Sequence, residues 1–114
     1  SDDEKIAEYR RLWEMAKDSL PEEAVTYNIA NDLGSRLWEK GNYEEAKVFF
    51  LTALEGRRRV LGDKHKKTLD SMNNMGIILN NMKDYEGALG YYQQAFRVQE
   101  KVLGRTHPDT LSHG

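Results

Sequence analysis

Cysteine is absent from this chain, which excludes disulfides, thiolate metal sites and cysteine nucleophiles together. Proline occurs only at Pro21 and Pro108 and β-branched residues are few, a balance that favours helices. No apolar run approaches the ~18 residues needed to span a bilayer, and no signal-peptide pattern opens the chain. The expected location is therefore cytoplasmic. Neither sign of charge dominates: 17 basic side chains stand against 19 acidic ones, so no global field draws nucleic acid or a membrane. Glycine-rich phosphate loops, nucleophile elbows and catalytic triads are also missing, which leaves nothing to read as an enzyme and no cofactor to expect. With 114 residues, the chain is one domain or a fragment of one, with a modest core. Its abrupt Ser1 and Gly114 ends suggest a piece of a longer protein.

What the chain does contain is a copy of itself. Gly41-Asn42-Tyr43-Glu44-Glu45-Ala46 returns 42 residues later as Lys83-Asp84-Tyr85-Glu86-Gly87-Ala88. Val60-Leu61-Gly62 returns as Val102-Leu103-Gly104, His65 as His107, and Thr68-Leu69 as Thr110-Leu111. Residues 26–69 laid on 68–111 give 14 identities in 44 positions. Chance would give roughly one in seventeen, so the register is real. A period between about 20 and 50 residues marks stacked units rather than one closed globule.

Each unit reads as two helices, A and B, and the pattern predicts an all-α chain of about five helices. Residues 1–20 place Ile6, Tyr9, Trp13, Ala16 and Leu20 on one face, with Ser1 and Glu4 as a capping box. This helix is a cap or a degenerate repeat, ended by Pro21, which can also open the next helix. Residues 21–65 form the first unit. Its helix A buries Ala30, Leu33, Gly34 and Leu37 and stops at Gly41. Asn42 caps helix B, with Glu45 completing a capping box, and Ala46, Phe49, Phe50, Ala53, Leu54, Val60 and Leu61 point inward. Residues 66–105 repeat the scheme. Leu69, Met72, Met75, Gly76 and Leu79 are inward on helix A. Asp84 caps a helix B whose inner side carries Tyr85, Ala88, Tyr91, Tyr92, Ala95, Phe96, Val102 and Leu103. Residues 106–114 open a truncated third unit.

The spacing Ala30-x2-Leu33-Gly34-x2-Leu37 with Ala46-x3-Phe50, and Met72-x2-Met75-Gly76-x2-Leu79 with Ala88-x3-Tyr92, resembles the tetratricopeptide repeat. The 42-residue period, the Val-Leu-Gly-x-x-His linker and Thr68 to Gly76 look like kinesin-light-chain-type repeats. The resemblance implies a right-handed superhelical solenoid of antiparallel helix pairs, and a cytosolic scaffold or adaptor that binds peptide segments of partner proteins. Helix A would line the concave surface. The stripe away from the inner contacts there holds Asn28, Asn31, Asp32, Ser35 and Glu39, then Asp70, Asn73, Asn74, Ile77, Asn80 and Asn81. Asparagine costs on the order of half a kcal/mol in a helix relative to alanine, so helix stability does not explain this concentration. Its amide can donate and accept together, which suits the backbone of an extended peptide. In the family, the asparagine two residues before the helix-A glycine contacts the ligand; it is Asn74 here, with Asp32 in its place in the first unit. Asn28, Asn80 and Asn81 read equally well as residues that cap helix ends or face water. The strip lacks the paired cations a carboxylate clamp would need.

Three other features have ordinary readings. Arg57-Arg58-Arg59 with Lys64, Lys66 and Lys67 gives net +5 over residues 57–67. A solvated helix end explains it, and residues 1–24, at net −4, offer an acidic complement on a neighbouring molecule. The composition speaks against nucleic acid as a partner. His65 and His107 are one repeat apart, a signature rather than a metal pair. Trp13 and Trp38 read as packing residues, with Trp38 near the groove. With no third helix A, Tyr91, Tyr92 and Phe96 would face water, so a homodimer or helix exchange through that face is expected. The other expectation is a structural spacer or self-assembling solenoid fragment without its own peptide ligand.

Overall fold

A computed structural model describes residues 1–106, with side chains through Gly104. The helices are α1 (Asp2–Ser19), α2 (Ala24–Glu39), α3 (Tyr43–Leu61), α4 (Lys66–Asn81) and α5 (Tyr85–Thr106), with no strand among the described residues. The expected start of a third unit lies outside these residues, apart from Thr106 at the end of α5. Each helix packs on the next in the chain, α2 on α3 and α4 on α5 being the antiparallel A/B pairs. Next-but-one helices meet through side chains. Trp13 of α1 meets Phe49 of α3 edge-on, Arg58 of α3 reaches Gln94 of α5, and Asn74 of α4 reaches Asn31 of α2. One layer is therefore α1, α3, α5 and the other α2, α4: an all-α, tetratricopeptide-like solenoid.

The helix ends follow local chemistry. Ser1 Oγ accepts from Glu4 N–H, and Asp84 Oδ1 accepts from Gly87 N–H, as N-caps do. Gly41 and Gly62 close α2 and α3 at φ 82° and 89°, where a side chain would crowd the backbone. Lys83, the repeat counterpart of Gly41, takes the same left-handed turn at φ 64° without that freedom. Two expectations are corrected. Pro21 sits in a turn and α2 begins three residues later, after Glu23. Asn42 precedes α3 but its side chain makes no cap, and Glu45 does not fold back on it. Glu45 instead accepts both terminal nitrogens of Arg10 on α1, one at 2.7 Å, because a paired charge across the helices outcompetes a local cap.

The core forms where small residues let the paired helices approach. Leu33, Leu37, Phe50, Leu54, Met72 and Ile78 are buried between α2, α3 and α4. Gly34 leaves room for the Phe50 ring and Gly76 for the Tyr92 ring. Thr26 and Thr68, identical under the 42-residue shift, are both fully buried. Each donates its hydroxyl back to the carbonyl six residues earlier, on Leu20 and on Gly62. The inner side expected for α5 is only half realised. Ala88 and Ala95 are buried against α4, whereas Tyr85, Phe96 and Leu103 are more than half exposed. The α3 counterparts of Tyr92 and Phe96, Phe50 and Leu54, are covered because α4 follows α3; no described helix follows α5.

Candidate functional site

The stripe of helix A faces outward from α2 and α4, and the structure divides it into bonded and unbonded positions. Asn74 Nδ2 donates to Asn31 Oδ1 at 2.9 Å. Trp38 Nε1 donates to Asn81 Oδ1 at 2.6 Å. Asn28 Oδ1 accepts from Arg57 Nη2 at 3.0 Å and from Lys67 Nζ at 3.2 Å. These three rungs run from the forward edge of α2 to the rear edge of α4. Lys67, Asn74 and Asn81 are spaced by seven residues, two helical turns, so the rungs lie one above another. Asp32, Ser35, Asp70, Asn73, Ile77 and Asn80 make no side-chain hydrogen bond or ion pair with the described residues. Ile77 and Trp38, 41% and 37% exposed, add apolar surface to this otherwise polar face. Trp38 is thus a surface residue, whereas Trp13 packs edge-on against Tyr27 and Phe49.

Beneath the rungs lies a residue the sequence does not single out. Arg57 on α3 is buried, 5% exposed, and its guanidinium passes between α2 and α4. Besides Asn28, it donates from Nη1 to Ser71 Oγ at 2.7 Å and to the Lys67 carbonyl at 3.3 Å. Among the described residues no carboxylate touches it, and its Nε is buried without a partner there. Burial pushes the guanidinium below its ordinary pKa, and the charges of Asp70 and Asp32 oppose that shift. Buried Ser71 and Arg57 form one polar joint of two repeats. Three consecutive arginines give no signal that only the first turns inward. The burial of Ser71 has no signal in the sequence either, and that of Thr68 shows only as its identity with Thr26 one repeat earlier.

The two other arginines of the basic stretch are used within the chain. Arg58 pairs with Asp63 and Gln94; Arg59 pairs with Glu22, the Pro21 carbonyl and the Tyr27 hydroxyl, and lies 5.5 Å from the Tyr27 ring centre. The helix end stays solvated, as expected, with the Arg58 and Arg59 side chains 37% and 50% exposed, and one acid of residues 1–24, Glu22, meets Arg59 within the chain. Lys64 and Lys66 remain exposed. His65 caps α4, its Nδ1 accepting from Lys67 N–H at 3.0 Å; His107 lies outside the described residues. On the far layer, Arg10 holds the Glu45 carboxyl below the usual carboxylate range, and Lys40 does the same to Asp3.

No helix is long and apolar enough to cross a membrane among the described residues. No curated protein matches the chain. A family model described as the tetratricopeptide repeat matches residues 22–100 and, one unit on, 68–113, overlapping as a repeating structure should. The paired helices, their glycine contacts and this match over most of the sequence agree: the chain belongs to the tetratricopeptide repeat family.

Proposed function

We propose that the outward face of α2 and α4 binds an extended segment of a partner protein, the chain serving as a scaffold or adaptor. Tetratricopeptide repeats generally mediate protein–protein interaction. The observation that carries the finer reading is the division of the stripe: three rungs hold the two A helices at one spacing, and polar groups beside them stay unused. Ser35 and Ile77, equivalent under the 42-residue shift, stand at the middle of this face, flanked by Asp32 and Asp70. Helices that pack about 8–10 Å apart are spanned by roughly three residues of extended chain. A short peptide can therefore reach both helices at once. Asp32 and Asp70, which make no side-chain hydrogen bond with the described residues but whose charges act on buried Arg57, disfavour an acidic segment. The 42-residue period and linker resemble kinesin-light-chain-type repeats, a resemblance that implies binding of partner peptide segments.

The test is selection of binders from a random peptide library on the wild-type protein, followed by affinity measurement on variants. Ser35→Glu with Ile77→Glu should weaken the selected peptides at least tenfold while thermal unfolding stays unchanged. Peptides that bind this variant as tightly as wild type would overturn the reading and favour a spacer role.

A further inference from the structure

The outer layer has two grooves one repeat apart, α1/α3 and α3/α5, and they are furnished differently. In the first, the Tyr27 ring packs beside Gly56 and its hydroxyl accepts from Arg59. Arg59 also pairs with Glu22, so a ring fills this place and an acid answers its cation. Shifted by 42 residues, Tyr27 becomes Leu69, Gly56 becomes Val98, Arg59 becomes Lys101 and Glu22 becomes Lys64. A shorter side chain replaces the ring, and a cation replaces the acid. Glu55 likewise becomes Arg97, and Ala16 becomes Arg58. The second groove is open, about 330 Å³, lined by Met72 and Val98 and by the cations Arg58, Arg97 and Lys101. Asp63 and Gln94 complete the lining, and both accept from Arg58. Arg97 and Lys101 are exposed and make no side-chain hydrogen bond or ion pair with the described residues. Asp63 is thus the one acid among the lining residues.

We propose that the α3/α5 groove receives a phosphorylated side chain of a partner protein. Its volume is at the small end for ligand pockets, which suits one side chain rather than a larger molecule. Arg97 and Lys101 stand one turn apart on α5, about 6 Å, and Gln94, a turn before Arg97, holds the Arg58 guanidinium across the groove. Three cations therefore gather within two turns of one helix. A phosphate monoester brings nearly two negative charges and three strong acceptor oxygens to a single point, so it can answer them together. A single carboxylate brings one charge and leaves the others unanswered. Arginine also meets phosphate through paired N–H donors, and Nη1 of Arg58 has no partner among the described residues. Met72 and Val98 offer apolar contact to the carbon atoms of the incoming side chain. A protein source for the phosphate follows from the family, whose repeats generally mediate protein–protein interaction. The groove is walled by α3 and α5 with Met72 of α4 beneath, so its shape depends on no further repeat. It belongs to the layer opposite α2 and α4 and is independent of the peptide reading for that face.

The probes are two peptide pools, random except for a central phosphoserine in one and a central serine in the other, captured on the intact 114-residue protein. Enrichment is expected from the phosphoserine pool and not from the same sequences with serine. The best phosphopeptide is then labelled and titrated by fluorescence anisotropy. Arg97→Glu with Lys101→Glu should weaken it at least tenfold; both residues are exposed, so circular dichroism should show an unchanged fold. Lys64→Glu, which restores the acid that Glu22 supplies one repeat earlier, should weaken it several-fold. Glutamate in place of the phosphoserine should cost the peptide at least tenfold. Equal enrichment of the serine sequences, or full binding by either protein variant, would overturn the proposal. Equal binding of the glutamate peptide would overturn it too, since an acidic segment would then suffice. So would displacement by inorganic phosphate at the peptide's own concentration, because the occupant would then be a free anion. The Ser35/Ile77 variant should bind the phosphopeptide normally; loss of binding there would move the peptide to the other face and overturn the assignment.

Discussion

Adding one methyl group at each of three helical glycines gives a graded test of the packing. At Gly56 on α3, a Cβ would fall within the Tyr27 ring, against Cγ, Cδ1 and Cε1. That ring cannot easily retreat: it is 6% exposed, its hydroxyl donates to the Pro21 carbonyl at 2.5 Å and accepts from Arg59, and Trp13 abuts it at 6.4 Å. Overpacking costs about 1–3 kcal/mol, and a hydrogen bond lost as the ring shifts costs about 1 kcal/mol more. Against this, alanine gains about 1 kcal/mol of helix propensity. Gly56→Ala should therefore destabilise by about 2 kcal/mol, roughly 6–10 °C in Tm for a domain of this size. At Gly90 on α5 nothing lies within 4 Å, so only the propensity gain applies and Tm should rise by a few degrees. Gly76 is intermediate: the Tyr92 ring comes to 2.6 Å but is 38% exposed and has room to swing aside. Its substitution should be close to neutral. Differential scanning calorimetry on the three variants reads the order directly. Equal tolerance of Gly56→Ala and Gly90→Ala would refute the reasoning, since it would mean that Tyr27 is not wedged as described.

Three further predictions concern single groups. Arg57→Ala should cost about 3 kcal/mol in urea unfolding, because it strands buried Ser71 and opens a void, whereas Arg57→Met, which also removes the charge but fills the void, should cost about 1 kcal/mol. Lys83→Gly should stabilise by about 0.5–1 kcal/mol by relieving the left-handed turn at φ 64°, read as a raised Tm. The Glu45 carboxyl should titrate below the usual range by NMR and return to it in Arg10→Met. Because its folded pKa is the depressed one, the pair stabilises above the ordinary carboxylate pKa of about 4.3 and loses that contribution as pH falls through the folded value. Both side chains are over a third exposed, so the wild-type advantage should stay below about 1 kcal/mol at neutral pH.

Most of the fold is legible in the 42-residue repeat itself. Helix pairs, glycine contacts and the Asp84 cap follow from periods and local rules that depend on neighbouring residues alone. The Glu45 half of the capping box expected at Asn42 does not form: the Asn42 N–H is taken by the Leu37 carbonyl, and the Glu45 carboxylate answers Arg10 on another helix, 35 residues away. The same limit governs the A-helix face. Helical spacing puts Asn28, Asn31, Asn74 and Asn81 on one stripe with Asn73 and Asn80, but only the lateral distance between α2 and α4 decides which amides meet. Arg57 is hidden for a related reason: inward and outward arginines look alike until the helix on the other side is in place.

An extended peptide proposed to dock on the middle of the α2/α4 face should leave its mark there residue by residue. Amide chemical-shift mapping of the labelled protein with a library-selected peptide tests this most directly. Shifts should concentrate on Asp32, Ser35, Asp70, Asn73 and Ile77, with α1 and α5 largely unmoved. Shifts centred on Tyr92 and Phe96, with Ser35 and Ile77 silent, would contradict it.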